Sequence, residues 1–569
     1  MYENPLTRLM LKNRGLDAAA LRAMDCDEHG CLLNIDDMVR RLADIRSANG
    51  QIVILPDFDM DGIMSGVIGF SALSEMGFNV ALFLPDPQAG YGIGIDTVSR
   101  LRREYPDATT ILTCDVGISA MDGIMAAQEL GFRVLVTDHH MPDGRRVPAA
   151  DCIVDPYLPD DSYRLKSICG AHVLYQVMQA LVRYLFPADV TKHEQIRRLR
   201  VFAGIGTVSD GMTLIHENRQ LVRDAVSICR LVYANDDQKV VQFIGGHDVY
   251  RRAFFGLWHV LHCLAGAGKI KSTDDIDEDL IGFYIAPMFN SVKRIGGPSD
   301  MENAFGVFFG ANPADKVQYL YQLNVRRKEL VEKYMAELSE TSQPLQPYVY
   351  KSSAPAGILG LLAQRKSDES GLPCVVLTDD GTIHGSGRSS FWYAFMTRMR
   401  AEGFQLAGHD VAFGCGFSSW SEVERFSDVL KQDCDLVRST LSFEQLAYNP
   451  DFVISHDGDG DTHIDIMLFL EYLQELGTMH PFGSGFPVPD VELRFTSDEE
   501  GVVWSQMGSA KQHVKVKLAH GFEVLLFNQP SAFDLSTKSC RCVVRGRLGI
   551  NEFRGQQTVQ FVGTMVSEC

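Results

Sequence analysis

The sequence predicts an α/β protein in four parts: a parallel-sheet domain with helical insertions, a long connecting helix, a second α/β domain and a small C-terminal β-barrel. Three observations carry this. Between residues 51 and 154 short apolar runs alternate with helical patterns, and each run ends in Asp or His. Residues 314–340 hold neither Gly nor Pro and keep a helical period. Beyond Pro481 the chain breaks into short strand-like runs spaced by turns. The expected boundaries are 1–310, 311–341, 342–445 and 446–569, in line with about 150 residues per domain.

In order, residues 1–50 read as helical, with an amphipathic segment Ile35 to Ala48 leading into the first strand. Ile52 to Leu55 is a short apolar run, as a buried strand is. It ends in D-F-D-M-D-G, which puts Asp57, Asp59 and Asp61 at every second position before a helical pattern from Ile63 to Met76. Alternation along an extended strand predicts all three carboxylates on one face, where their repulsion is costly unless cations lie among them. Such oxygen-rich clusters suit hard divalent ions, Mg2+ or Mn2+. Taken alone, the motif reads equally well as a solvated acidic turn.

The following strands decide between the two. Val80 to Leu84 ends in P-D-P, Thr110 to Cys114 in D-V-G, Val134 to Thr137 in D-H-H, and Cys152 to Val154 in D-P, with helical patterns of crossover length between most of them. Open parallel sheets bind ligands at the carboxyl ends of their strands. Asp57, Asp59, Asp61, Asp115, Asp138, His139, His140 and Asp155 all fall there. One aspartate after a strand is an ordinary helix cap, but so many titratable groups on one rim indicate a site.

Composition limits the alternatives. The chain has 569 residues, 46% of them hydrophobic, too many for one core and typical of globular protein. No apolar run approaches the roughly 18 residues of a membrane span, and the N-terminus lacks a signal-peptide pattern, so a cytoplasmic protein is expected. The 13 cysteines are scattered without C-x-x-C pairs, which favours reduced thiols over a disulfide framework or a zinc site. A net charge of −20 argues against a generic polyanion binder, although metal ions and a few arginines can meet phosphates locally.

D-F-D-M-D-G at 57–62, C-D-V-G at 114–117, T-D-H-H at 137–140 and G-T-V-S-D at 206–210 resemble, in order and spacing, the motifs of the DHH phosphoesterase superfamily. Within it the resemblance is to the RecJ family of single-strand-specific exonucleases. A-P-M-F-N-S-V-K-R-I-G-G at 286–297 is similar to a segment of that family beside the catalytic cleft. A-G-I-L-G-L-L-A-Q-R at 356–365, G-S-G-R-S at 385–389 and A-G-H-D-V-A-F-G at 407–414 resemble its DHHA1 domain. P-F-G-S-G-F-P-V-P at 481–489 and L-G-I-N-E-F-R-G at 548–555 resemble its OB-type domain. The likeness spans residue 35 to the end. Departures are Asp155 where asparagine is common, H-V-L-Y at 172–175, Ala407 and Phe413.

The resemblance implies two-metal hydrolysis of a phosphodiester with two Mn2+ or Mg2+ ions. Asp57, Asp59, Asp61, Asp115, His139 and Asp210 become the metal ligands, Asp115 bridging. His140 becomes a donor to the scissile phosphate, and Asp138 orients an imidazole. Asn290, Lys293 and Arg294 become phosphate-holding candidates, as do Arg388 and His409 from the DHHA1-like part. The implied substrate is single-stranded DNA with a 5′ end, cut to mononucleotides in repair and recombination. The implied protein is a monomer, with a single-strand-binding protein or helicase as partner and no membrane partner. The alternatives are a phosphodiesterase for short oligonucleotides or cyclic dinucleotides and a catalytically silent replication scaffold; every expected acidic position is filled, which argues against the scaffold.

The remaining segments read more plainly. Residues 314–340 predict one helix of about 40 Å, the connector by resemblance. Asp457, Asp459 and Asp461 imitate a calcium loop, but Thr462 and Leu468 stand where its glycine and bidentate glutamate belong, so a turn is expected. In the C-terminal strands Lys515, Lys517, Arg545, Arg547, Phe553 and Arg554 form a candidate single-strand track, since OB barrels combine basic grooves with stacking aromatics.

Overall fold

The computed structural model describes residues 2–25, 30–86, 92–142, 146–341, 348–389, 393–440, 449–455, 460–553 and 556–566. They form two compact units, one of Glu28–Met212 with Leu221–Leu446 and one of Met1–Asp27, Thr213–Gln220 and Ala447–Cys569.

The larger unit is built on a sheet of β1 (Gln51–Pro56), β2 (Val80–Leu82), β3 (Ala108–Cys114), β4 (Arg133–Thr137) and β5 (Cys152–Val154), in the order β2-β1-β3-β4-β5. Every pairing is parallel, as the alternating pattern predicts. Parallel neighbours need crossovers, so both faces are covered and the strands are largely apolar. On one face Val53, Leu55, Ile111, Val134 and Val136 pack against Val98, Leu101, Ile124 and Ala127 of the helices Ile95–Glu104 and Met121–Glu129. On the other lies the helix Met60–Glu75, buried almost all round. It packs closely because Gly66 and Gly69 leave no room for a side chain: a Cβ would meet Phe305 at 2.8 Å and Leu174 at 3.1 Å.

Between Asp210 and residue 310 the chain is mainly helical, in keeping with the expected helical insertions, and includes a 3-10 turn at Thr273–Asp275. A π-helical turn, Ile281–Ile285, precedes the helix Ala286–Ile295. The connector is one helix, Pro313–Thr341. After it comes a mixed sheet of β6 (Val349–Lys351), β7 (Cys374–Asp379), β8 (Ile383–Arg388), β9 (Leu406–His409) and β10 (Ala412–Phe417), ordered β6-β7-β8-β10-β9. Phe413 fits because Gly387 lies opposite it across the β8–β10 ladder, where a Cβ would stand 2.1 Å from its ring. Its ring packs on Phe395 at 4.5 Å.

The smaller unit holds β11 (Phe452–Ser455), β12 (Val491–Thr496), β13 (Val503–Met507), β14 (His513–Lys517), β15 (Glu523–Leu526), β16 (Arg541–Phe553) and β17 (Gln556–Met565), ordered β11-β12-β16-β17-β15-β14-β13. Among the described residues no ladder joins β13 to β11. Side chains do join the two halves: Trp504 of β13 contacts Phe495 of β12 with ring centroids 6.0 Å apart and donates from Nε1 to the Ser497 carbonyl at 3.0 Å. The N-terminal helix Pro5–Asn13 sends Leu6, Met10 and Leu11 into this core, and Arg14 clasps Asp451 at 2.6 Å.

Ten described cysteines are free thiols, as expected, whereas Cys540 is disulfide-bonded. No helix among the described residues is long and apolar enough to cross a membrane.

Candidate metal centre

Hydrogen bonding of the sheet continues one residue beyond its strands and sets three aspartates side by side. The backbone N–H of Asp57 donates to Cys114, that of Asp115 to Thr137 and that of Asp138 to Val154, at 2.9 to 3.1 Å. The acidic rim is thus the last rung of the parallel ladder.

Asp57, Asp59 and Asp61 do not alternate along an extended strand, which corrects the expectation. The strand ends at Pro56, and Asp59 is the N-cap of the helix Met60–Glu75, its Oδ1 accepting from the N–H of Asp61 at 3.1 Å and of Gly62 at 3.2 Å. Capping turns the chain at the second carboxylate because the first helical N–H groups need an acceptor. Gly62 permits the turn: a Cβ there would stand 2.5 Å from the Asp57 carbonyl. Asp57 and Asp59 therefore group with Asp115, while Asp61 groups with His139 and Asp210.

Asp115 sits between these groups with φ +65°, a left-handed backbone that a non-glycine residue rarely adopts. Gly170 lies against it, and a Cβ at 170 would be 2.5 Å from Asp115 Oδ1. The helix Gly170–Leu185 begins there, with the N–H groups of Gly170 and Ala171 donating to Asp61 Oδ2 at 2.7 Å and Oδ1 at 3.2 Å. Asp210 comes from elsewhere, the end of the helix Arg200–Ser209. His139 Nε2 faces all three carboxylates: Asp115 at 3.1 Å, Asp210 at 3.5 Å and Asp61 at 3.9 Å.

Charge is crowded here. Burial, then the neighbouring Asp59, pushes Asp57 up to about 7 and Asp61 up to about 6. Burial followed by Asp61 and Asp59 raises Asp210 to about 8, and burial, then Asp61 and the three other carboxylates, raises Asp115 well above the ordinary range. Burial and then His140 lower His139 to about 4, so its imidazole is neutral at pH 7 and has a lone pair to offer. Asp59 goes the other way; burial opposes its charge, but Lys293 Nζ at 3.1 Å, the Gly62 N–H and His140 together hold it below the usual carboxylate range.

His140 differs from its neighbour, the two rings lying 4.4 Å apart at 53°. Asp138 accepts from the N–H groups of His139 and His140, from His140 Nδ1 at 2.8 Å and, on its other oxygen, from the Ile118 N–H at 2.9 Å. Burial disfavours a charged His140, yet Asp138 prevails and raises it to about 9. One imidazole is neutral and faces carboxylates; the other is a cation held by a carboxylate of its own.

Asn290 Oδ1 accepts from the Met60 N–H at 2.8 Å, tying the helix Ala286–Ile295 to the acidic turn. Arg294 donates to the Gly357 carbonyl at 3.2 Å, and Arg388 Nη1 to Ser386 Oγ at 2.8 Å and the Gly387 carbonyl at 2.7 Å. Asp155 is buried, with Oδ1 on the Tyr157 N–H at 2.7 Å; burial and then Asp138 push it up to about 8.

The side chain of His409, that of Phe553 and all of Arg554 lie outside the described residues, as do Asp457 and Asp459. Of the other barrel cations, Lys515 and Lys517 share Glu523 at 2.6 and 3.4 Å, Arg545 contacts Glu492 at 3.3 Å, and Arg547 is exposed on β16. Sequence reasoning missed the Gly170 and Ala171 donors and the Ile118 N–H. Backbone donors carry no residue signature; the only hint is the glycine at 170 before an apolar helical pattern.

These residues fit divalent cations. Three groups, Asp57–Asp59–Asp115, Asp61–His139–Asp210 and Asp115–His139–His140, each bring possible ligand atoms within 4.8 Å of one another. Asp115 Oδ1 is buried and makes no hydrogen bond, although His139 Nε2 stands 3.1 Å away. A cation between such atoms would relieve the repulsion that raises the carboxylates.

Residues 51–201 match the DHH family, N-terminal domain, and residues 461–563 match the RecJ OB domain. Over 93% of its length the chain is 27% identical to the single-stranded-DNA-specific exonuclease RecJ of Haemophilus influenzae, covering 90% of that protein. Its fold matches that of RecJ from Thermus thermophilus in complex with Mn2+ (TM-score 0.71, 22% identity, 98% of this chain and 75% of that one) and with Mg2+ (TM-score 0.66, 19% identity, 100% and 75%). The chain is RecJ-like along nearly its whole length.

Proposed function

We propose that this RecJ-like chain is a divalent-metal-dependent nuclease that hydrolyses single-stranded DNA from the 5′ end to mononucleotides. The observation that carries the reading is the convergence of four carboxylates and a neutral imidazole around Asp115, next to a cationic imidazole with its own carboxylate.

Bound at such a centre, two divalent ions supply Lewis acidity and lower the pKa of water towards neutrality. Asp57 and Asp59 would hold one ion, Asp61, His139 and Asp210 the other, with Asp115 shared. The Gly170 and Ala171 N–H groups keep the Asp61 carboxylate aimed. Asp138 fixes the His140 ring through Nδ1, leaving Nε2–H to donate to an oxygen of the scissile phosphate, where charge grows in an in-line displacement. Lys293 balances the cluster through Asp59. Arg294 and Arg388 offer guanidinium groups suited to a second phosphate of the strand.

On this reading residues 342–445 act as the DHHA1 domain. The protein works as a cytoplasmic monomer in repair and recombination, on strands supplied by a helicase or a single-strand-binding protein. These parts rest on resemblance.

The test is digestion of single-stranded DNA labelled at either end, with Mn2+, Mg2+ or EDTA, resolved by product length. Metal-dependent release of mononucleotides from the 5′ end, sparing duplex, is expected. Hydrolysis of dinucleotides without attack on long strands, or binding without cleavage, would overturn the proposal.

A further inference from the structure

Beyond the metal centre, the larger unit carries a row of cations with no carboxylate in ion-pair contact among the described residues. Arg388 and Arg294 stand at one end, on β8 and on the helix Ala286–Ile295. Arg327 and Lys328 follow on the connector Pro313–Thr341, and Lys269 lies just beyond the helix Asp248–Gly266. Tyr284, in the π-helical turn, has Lys269 Nζ 5.1 Å and Lys328 Nζ 6.0 Å from its ring centroid.

Surface lysines and arginines elsewhere in the described chain are commonly tied to acids, as Arg365 is to Glu332 at 2.6 Å and Lys293 to Asp59. The described partners in this row are neutral: Arg294 bonds a carbonyl, Arg388 a hydroxyl and a carbonyl, Arg327 the Asn324 Oδ1 at 2.9 Å, and the two lysines one aromatic face. The order of the row follows from packing, since the helix Ala286–Ile295 lies against the connector. Burial and then Arg294 lower both Arg388 and Arg327, and burial followed by Arg327 and Lys269 lowers Lys328. In a chain of net charge −20, like charges gathered without paired counter-ions mark a place for an anionic ligand.

The row also changes along its length. Arg388, Arg294 and Arg327 are partly buried, whereas Lys328 and Lys269 are exposed. A π-helical turn is rare and often lies at functional sites; this one ends where the helix bearing Asn290, Lys293 and Arg294 begins, and it leaves Phe283 67% exposed.

We infer that Arg327, Lys328, Lys269 and Tyr284 form a backbone-phosphate track for a single strand on the larger unit, continuous with Arg294. It deepens the nuclease reading and rests on it for the identity of the polyanion. The track holds phosphates beyond those at the metal centre, so its contribution depends on strand length. Arg327 offers a fork to one phosphate, and the two lysines, stacked over one ring, offer point charges to the next.

The test compares wild type with the K269E/K328E double variant and its conservative counterpart K269R/K328R, all as full chains. Binding of a (dT)30 strand is measured in EDTA across a salt series, and hydrolysis of (dT)30 and of a 5′-phosphorylated dinucleotide in Mn2+. Each single-strand phosphate contact contributes a slope of about 0.7 in log affinity against log salt, so loss of two should reduce the slope by about 1.4. We expect K269E/K328E to weaken (dT)30 binding and raise KM for (dT)30 at least tenfold more than KM for the dinucleotide, and K269R/K328R to restore both. Equal losses on both substrates, an unchanged salt slope, or no rescue by arginine overturns the track. If the wild type binds (dT)30 but cleaves nothing, and K269E/K328E still lowers the salt slope, the track stands and the nuclease reading falls. If it binds no single strand, both fall.

Discussion

His140 Nδ1 lies 2.8 Å from Asp138 Oδ1, and the same oxygen accepts the backbone N–H groups of His139 and His140. One buried carboxylate therefore sets the loop and the ring together. Asp138→Asn removes the charge that holds His140 cationic and puts an amide where a triple acceptor is needed. Hydrolysis should fall about 10- to 100-fold at saturating Mn2+, the range found when a residue orienting a metal-site imidazole is lost. Steady-state rates with the 5′-labelled strand check this, and undiminished turnover would remove Asp138 from the machinery.

The metal-free protein should lose stability as pH rises. Asp57, Asp61 and Asp210 are raised to about 7, 6 and 8 in the fold, against an ordinary value near 4. Between about pH 4 and 8 the folded chain thus binds more protons than the unfolded one, so each unit of pH in that window costs stability. Tm in EDTA should be lower at pH 8 than at pH 5.5, and Mn2+ should raise Tm more at pH 8, where it meets ionised ligands. A Tm in EDTA that climbs across this range would contradict the assigned crowding.

Asp115→Asn separates folding from chemistry. It takes out of the cluster a carboxylate that burial and its acidic neighbours raise well above the ordinary range, so Tm in EDTA at pH 8 should rise. Hydrolysis should disappear and the Mn2+-induced gain in Tm should shrink, because the shared ligand is gone. Full activity of this variant with Mn2+ would sink the two-ion assignment.

Gly170→Ala tests positioning without replacing a ligand. The new Cβ would stand 2.5 Å from Asp115 Oδ1, and the Gly170 N–H also aims Asp61. Forcing one methyl into such a contact costs about 1–3 kcal/mol, and relief means moving Asp115. Differential scanning with and without Mn2+ should show a smaller metal-induced shift alongside a fall in activity. An unaltered shift would mean that the site tolerates a Cβ there.

Much of this was legible in the chain itself. Apolar runs alternating with helical patterns specify a parallel sheet because crossover helices must cover both faces, and aspartates directly after such runs must lie on the carboxyl rim. The pattern alone therefore puts Asp57, Asp115, Asp138 and the two histidines on that rim. The same local logic misjudged Asp59 and Asp61, because alternation describes an extended strand and takes no account of a carboxylate that caps the next helix.

What the tertiary structure alone decided is which distant groups meet. Asp210 reaches the rim from a helix end, the Gly170 and Ala171 N–H groups aim Asp61, and Asp115 adopts a left-handed backbone against Gly170. Arg294, Arg327, Lys328 and Lys269 come from three separate elements and are ordinary cations in sequence. Period and composition report what each segment does with its own neighbours; burial and charge at the site come from long-range packing, and packing determines which of those cations sits apart from an acid.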